Sequence, residues 1–243
     1  MSDSPTDSVP RATAIIVAAG RSTRMGVTAE DGLRKPFFQI AGRTVLETTC
    51  AAFDRATAID AIVLVGHADD LDRLRALAET SKAFAKVAAV VPGGAERTDS
   101  VRLGVEAAPT AELVAVHDAA RALIDPKTID AAVRTASEHD AALVALPVND
   151  TIKRSGDGRS AAETLDRSEL FAAQTPQVFR ARKLLELLQR AADEGWKPTD
   201  DSSLWERYVG PVPLVEGSPH NLKITTRADL AIAEAILHDR ARA

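Results

Sequence analysis

Cysteine is nearly missing from this chain: Cys50 is the only one among 243 residues. A single thiol excludes an intrachain disulfide and any cysteine-based zinc cluster. It fits a reducing compartment, so the expected location is cytoplasmic. The five histidines are scattered and no H-E-x-x-H occurs, which removes the usual zinc-hydrolase pattern. Aromatics make up 4% of the chain against 45% apolar residues, so the core must be built mainly from Ala, Val, Leu and Ile. No apolar run is long enough to span a bilayer, and no membrane partner is expected. An excess of positive charge is lacking too: 30 Lys and Arg are interspersed with 35 Asp and Glu, for a net charge of −5. That argues against nucleic acid as a partner, since nucleic-acid binding favours a basic face, yet it leaves room for a local basic pocket for a small anion. Met1–Arg11 is polar, without the basic start and apolar centre of a signal peptide, and is expected to be a disordered tail.

What remains is an alternation. Short apolar runs at Thr13–Ala18, Ala61–Val65, Val87–Val91, Leu113–His117 and Ala141–Leu146 read as buried parallel strands. Helical patterns lie between them, at about Thr44–Ala56, Asp69–Thr80, Thr98–Ala107 and Pro126–His139, the last opened by Asp125-Pro126. This β-α-β rhythm predicts an α/β fold with a doubly wound, mostly parallel sheet and right-handed crossovers. Residues 12–241 are expected to form a single domain. After Pro147 the rhythm breaks. Polar residues from about 149 to 170, with Ser155-Gly156-Asp157-Gly158 as a turn, predict a protruding β-arm. A helix near Arg180–Glu194, a short strand Val212–Glu216 and a final helix from about Arg227 to Arg240 complete the chain.

Four clusters fall where ligands bind in such sheets, beyond the carboxyl ends of the strands. The first is Ala18-Ala19-Gly20 with Arg21, Arg24 and Lys35 nearby. It is neither a Walker A loop nor G-x-G-x-x-G, because no Gly-Lys-Ser/Thr follows and Ser22 takes the second glycine's place. A polyphosphate loop and an ordinary tight turn with solvated arginines remain equally open on position alone. The second is Gly93-Gly94-Ala95-Glu96-Arg97-Thr98-Asp99-Ser100, opening a helix. Its paired glycines allow close approach of a ligand to the backbone, and taken alone it reads better as a flexible turn. The third is His117-Asp118-Ala119-Ala120-Arg121. An Asp at a strand end suits Mg²⁺ bridging phosphate oxygens about as well as it suits a plain capping role. The fourth is His220-Asn221-Leu222-Lys223-Ile224-Thr225, whose lysine gains meaning only beside the others.

Together these clusters, with Asp150-Thr151-Ile152-Lys153, Asp166-Arg167, Thr175-Pro176-Gln177 and Thr199-Asp200-Asp201, resemble the 2-C-methyl-D-erythritol 4-phosphate cytidylyltransferase family of the non-mevalonate isoprenoid pathway. The resemblance runs in order from about Ala12 to Leu237. It implies a Rossmann-like nucleotidyltransferase that uses CTP, a polyol phosphate and Mg²⁺ and works as a homodimer. By the same resemblance, Arg24, Lys35, Arg167 and Lys223 are the catalytic residues. Ala18, Ala19, Gly20, Gly94, Ala95, Ser100, Asp118 and Ala119 would bind the nucleotide, with Asp118 also carrying the metal. Arg121, Thr151, Arg167 and Thr175 would grip the substrate, the arm residues from a second subunit. The chain departs from the family pattern at Ser22, at Pro36 (commonly Gln), at Ala95 (frequently acidic) and at His220 (frequently Asp). Val27–Arg34 reads as an insertion, placed for a lid. A cytidylyltransferase for another polyol phosphate, such as ribitol 5-phosphate, and a non-catalytic nucleotide-binding protein of the same fold are the alternatives.

Overall fold

The computed structural model describes residues 10–20 and 34–242. β1 (Ala12–Val17) is apolar at nearly every position because it is buried on both faces. Ala12, Ala14 and Ile16 point into one core and Ile15 into the other. The chain re-enters at Arg34 and makes a 3-10 turn, Lys35–Phe37, that Pro36 opens. A proline suits that position, where its fixed φ is already helical and no N–H is needed. This gives the departure at Pro36 a structural reason.

A tight hairpin of β2 (Gln39–Ile40) and β3 (Arg43–Thr44) turns through Ala41 and Gly42, at φ 47° and 80°. Positive φ at both central residues matches the right-handed twist of the strands. Next, α1 (Val45–Arg55) starts from a capping box. Thr44 Oγ1 accepts from Glu47 N at 3.1 Å, and the Glu47 carboxylate accepts from Thr44 N at 2.8 Å. The alternation then runs β4 (Ile59–Gly66), α2 (Leu71–Thr80), β5 (Val87–Pro92), α3 (Arg97–Glu106), β6 (Leu113–Asp118), α4 (Pro126–His139) and β7 (Ala141–Pro147). As expected, Asp125 caps α4, its carboxylate accepting from Lys127 N at 2.8 Å.

Beyond β7, β8 (Lys153–Arg154) and β9 (Glu163–Thr164) form a separate antiparallel hairpin in the mostly exposed segment 149–170. The chain closes with β10 (Phe171–Arg180), α5 (Ala181–Asp193), α6 (Asp201–Tyr208), β11 (Leu214–Glu216) and α7 (Arg227–Arg240). The main sheet has the order β11-β7-β10-β6-β1-β4-β5, all parallel except β10. Its two faces carry different helices: α1, α2 and α4 pack on one, and α3, α5 and α6 on the other. A smaller core joins β2, the start of α1 and α7.

The sequence pattern does not predict β10, α6 or the β2–β3 hairpin. The register of β10 against β7 shifts between Ala173 and Gln177, at Gln174-Thr175-Pro176-Gln177, whose polar side chains are buried rather than exposed. The Thr175–Pro176 peptide is cis.

Candidate active site

Because β1, β4, β5 and β6 run parallel, their carboxyl ends meet on one edge of the sheet. The chain passes from β1 to β4 on one side and later crosses to β6 on the other, so a crevice opens beyond β1. A cavity of about 400 Å³ occupies it. Ala18, Ala19 and Gly20 after β1, His67 and Ala68 after β4, Gly93 to Arg97 after β5, and Asp118 to Ala120 at the end of β6 line it, with Lys35, Ser100 and Lys223.

Close backbone packing shapes these walls. Ala18 N donates to Val65 O (2.8 Å), Gly93 N to Gly66 O (2.8 Å) and Ala119 N to Val17 O (3.1 Å). A Cβ at Gly93 would lie 2.4 Å from Ala19 Cβ and 2.8 Å from Ser100 Oγ, and one at Gly94 would lie 2.2 Å from Asp99 Cβ. Protein packing, not only ligand approach, therefore demands these two glycines. Ser100 Oγ ties the loop together, accepting from Gly94 N and donating to Glu96 O, both at 3.1 Å. The leg carrying Lys35 is fixed from outside. Arg34 bonds Asp70 Oδ1 (2.7 Å) and Asp69 Oδ2 (2.6 Å), and the Arg73 guanidinium sits 3.8 Å from the Phe37 ring centroid.

Asp118 is the electrostatic centre. Its Oδ1 accepts from Arg97 Nε at 3.1 Å and its Oδ2 from Lys223 Nζ at 2.5 Å. Burial opposes its charge, but Arg97 and Lys223 outweigh burial and hold the carboxyl well below the usual carboxylate range. Arg97 also places Nη2 2.9 Å from Oδ2 of Asp201, which is wholly buried. Burial lowers the Arg97 pKa, but Asp201 and Asp118 reverse the effect and raise it. For Asp201, burial dominates and pushes the carboxyl up. The result is an alternating row of charges, Asp201, Arg97, Asp118 and Lys223.

Behind Asp118 lies a neutral relay. His117 is fully buried, and burial pushes its pKa down to about 3. A neutral imidazole donates from one nitrogen and accepts at the other. Nε2 lies 3.2 Å from the carbonyl of Arg121 and therefore donates, leaving Nδ1 to accept from Thr175 Oγ1 at 3.0 Å. That hydroxyl in turn accepts from Asp118 N at 3.2 Å. Arg121 spans to the last segment, donating from Nη1 to Asn221 O (2.8 Å) and from Nη2 to Ala173 O (3.3 Å).

Residues 12–239 match the family model of 2-C-methyl-D-erythritol 4-phosphate cytidylyltransferase (IspD). The chain belongs to this family. It is 39% identical over 228 residues to the 2-C-methyl-D-erythritol 4-phosphate cytidylyltransferase of Pelotomaculum thermopropionicum, covering 93% of this chain and 94% of that protein. It is 43% identical over 224 residues to a bifunctional IspD/IspF enzyme of Desulforudis audaxviator, covering 92% of this chain and 56% of that protein; the chain spans about half the length of that relative. Among solved structures, the 4-diphosphocytidyl-2C-methyl-D-erythritol synthase of Anaerococcus prevotii superposes with a TM-score of 0.81 at 30% identity, covering 94% of this chain and 96% of that one.

Within this IspD-family fold, the cavity gathers Ala18, Ala19, Gly20, Lys35, Gly94, Ala95, Ser100, Asp118, Ala119 and Lys223 from the sequence-based set. Arg24, like Ser22 and the segment 27–33, lies outside the described residues. Thr151 and Arg167 sit on the exposed arm, where Arg167 Nη1 donates to Asn149 O at 2.7 Å, and neither lines the cavity. Thr175 and Arg121 do not line it either: Thr175 is buried with its hydroxyl committed to His117 and Asp118, and Arg121 braces the backbone. The sequence reading assigned no role to Arg97 or Asp201, although both stand in quoted motifs. Their signal is the charge pattern itself, an arginine at a helix start and paired acids before a short helix.

Proposed function

We propose that this chain transfers CMP from CTP to 2-C-methyl-D-erythritol 4-phosphate, giving the CDP-alcohol and pyrophosphate. The carrying observation is one cavity at the sheet's switch point that brings together the Ala18–Gly20 and Gly93–Ala95 loops, Lys35, Lys223 and Asp118. A phosphate-monoester oxygen of the polyol attacks the α-phosphorus, and the bond to the β-phosphate oxygen breaks as pyrophosphate leaves. The nucleophile needs no general base, because a phosphate monoester with a second pKa of about 6 is largely dianionic at neutral pH. The work of the site is to bring two anions together and stabilise charge on the leaving group.

Lys35, held by the Pro36 turn, and Arg24 serve the triphosphate. Lys223 turns from Asp118 to the attacking phosphate, an exchange within reach because Lys223 is 39% exposed. The loop amides hold the phosphates, and Gly94, Ala95 and Ser100 read the cytosine. Mg²⁺ is the cofactor we assign. Asp118 suits it, a hard oxygen donor facing the cavity, and among the described residues no cluster of three His, Cys, Asp or Glu offers an all-protein cage. That is the donor set expected where substrate phosphates complete the shell. When bound, Mg²⁺ supplies charge neutralisation on the triphosphate.

We also assign a homodimer in the cytoplasm. Support for the dimer is the arm, whose Thr151 and Arg167 are exposed and absent from their own chain's cavity lining, as residues acting on a neighbouring subunit would be.

Pyrophosphate release by the purified chain tests the reading. CTP, Mg²⁺ and 2-C-methyl-D-erythritol 4-phosphate should together give turnover, with UTP, GTP, ATP or ribitol 5-phosphate far poorer. CTP binding without turnover, or better use of ribitol 5-phosphate, would overturn it.

A further inference from the structure

We propose that Asp201 is a positioning residue for this reaction: it holds the Arg97 guanidinium against Asp118, keeping that charge in the pocket wall and off the triphosphate. The inference rests on the cytidylyltransferase reading and deepens it.

Asp201 is fully buried and does not line the cavity. It is not needed to start α6, because Asp200 performs the capping. Asp200 Oδ1 accepts from Ser203 N at 3.1 Å, and its Oδ2 accepts from Gln177 Nε2 at 2.8 Å and Ser202 Oγ at 3.0 Å. Ser202 N donates to Gln177 Oε1 at 2.8 Å, so β10 fixes the start of the helix from both sides. Asp201 is thus set on a rigid shelf with its carboxylate facing Arg97. Neither of its oxygens has a hydrogen bond among the described residues; the 2.9 Å ion pair to Arg97 Nη2 is what meets its charge. A buried ion pair is weak evidence of net stabilisation, because desolvation offsets the attraction, although removing one partner alone still costs stability.

Arg97 stands at the first position of α3, directly after the loop that lines the cavity, and is itself part of the lining. A guanidinium there, freed of one carboxylate, would turn to the nearest anion, the triphosphate. Binding the ground state more tightly without matching gain in the transition state slows the chemical step. With Asp201 in place, Arg97 is balanced on two sides and pins Asp118 Oδ1. Asp118 Oδ2, carrying Lys223, is left as the exchangeable side.

The test compares wild type with Asp201→Asn by calorimetric CTP binding without Mg²⁺ and by steady-state turnover. Loss of one negative charge near the pocket should tighten metal-free CTP binding by about 3- to 10-fold. It should lower kcat by about 10-fold or more, with at most a modest fall in Tm because Arg97 keeps Asp118. Adding Arg97→Gln to Asp201→Asn should abolish the tighter binding, because the unbalanced cation is gone. A wild-type enzyme that turns over while Asp201→Asn matches it in CTP affinity and kcat overturns the inference alone. So does a variant in which affinity and Tm fall together, the mark of a merely structural residue. A wild type that releases no pyrophosphate overturns the functional reading and this inference with it.

Discussion

His117 shows how a single side chain couples the site to acid. Its folded pKa is about 3 against the ordinary value of 6.5. The unfolded chain therefore takes up a proton below pH 6.5 that the folded chain refuses. Stability from this residue is intact above that pH and is lost as pH falls towards 3, by about 1.4 kcal/mol per pH unit over most of the window. Urea unfolding at pH 7.0 and 5.0 should show that loss in wild type and a shallower dependence in His117→Gln; equal slopes would remove His117 as the cause. Asp118 was legible as a site residue because an acid at the end of an apolar strand has a fixed place in such a sheet. Its partners were not, since Arg97 lies 21 residues before it and Lys223 lies 105 after it. Only the tertiary fold brings those charges within 3.1 Å. The same holds for Thr175, whose hydroxyl lies buried between His117 and the Asp118 amide, partners 58 and 57 residues away in sequence.

At the scale of elements, the two cavity loops after β1 and β5 form one wall. Gly93→Ala would set a Cβ 2.4 Å from Ala19 Cβ. Relieving that clash must push the Ala18–Gly20 loop outward, at a cost of about 1–3 kcal/mol. Thermal unfolding should show the loss, and the KM for CTP should rise several-fold while polyol-phosphate KM moves little. A variant with wild-type Tm and KM would show that the loops do not touch in solution. The strands lining this wall were plain in the sequence, because a strand buried on both faces must be an unbroken apolar run. β10 was hidden for the opposite reason. Gln174 and Gln177 are buried in it only because other segments supply partners: Gln174 Nε2 donates to Ser218 O at 2.9 Å and Gln177 Nε2 to Asp200 at 2.8 Å. Local pattern carries no sign of such distant acceptors. α6, eight residues with one acid at its start and another capping it, is likewise held by β10 rather than by its own periodicity.

For the molecule as a whole, the account requires two anionic substrates to meet in one cavity, with charge supplied from segments as distant as Lys35 and Lys223 and, in the proposed dimer, from a neighbouring arm. The parallel β-α-β part of the architecture was readable from rhythm alone, whereas the arm's target was not: a solvated hairpin carries no core contacts that would point to it. A crystal structure with CTP and Mg²⁺ tests the central claim most directly. The account predicts the cytosine against Gly94 to Ser100, the triphosphate along Ala18–Gly20 with Lys35 beside it, and Thr151 and Arg167 of a neighbouring subunit facing the α-phosphate. A nucleotide bound elsewhere on the molecule, or one in this cavity with Lys35 and Lys223 both turned away from it, would contradict the account.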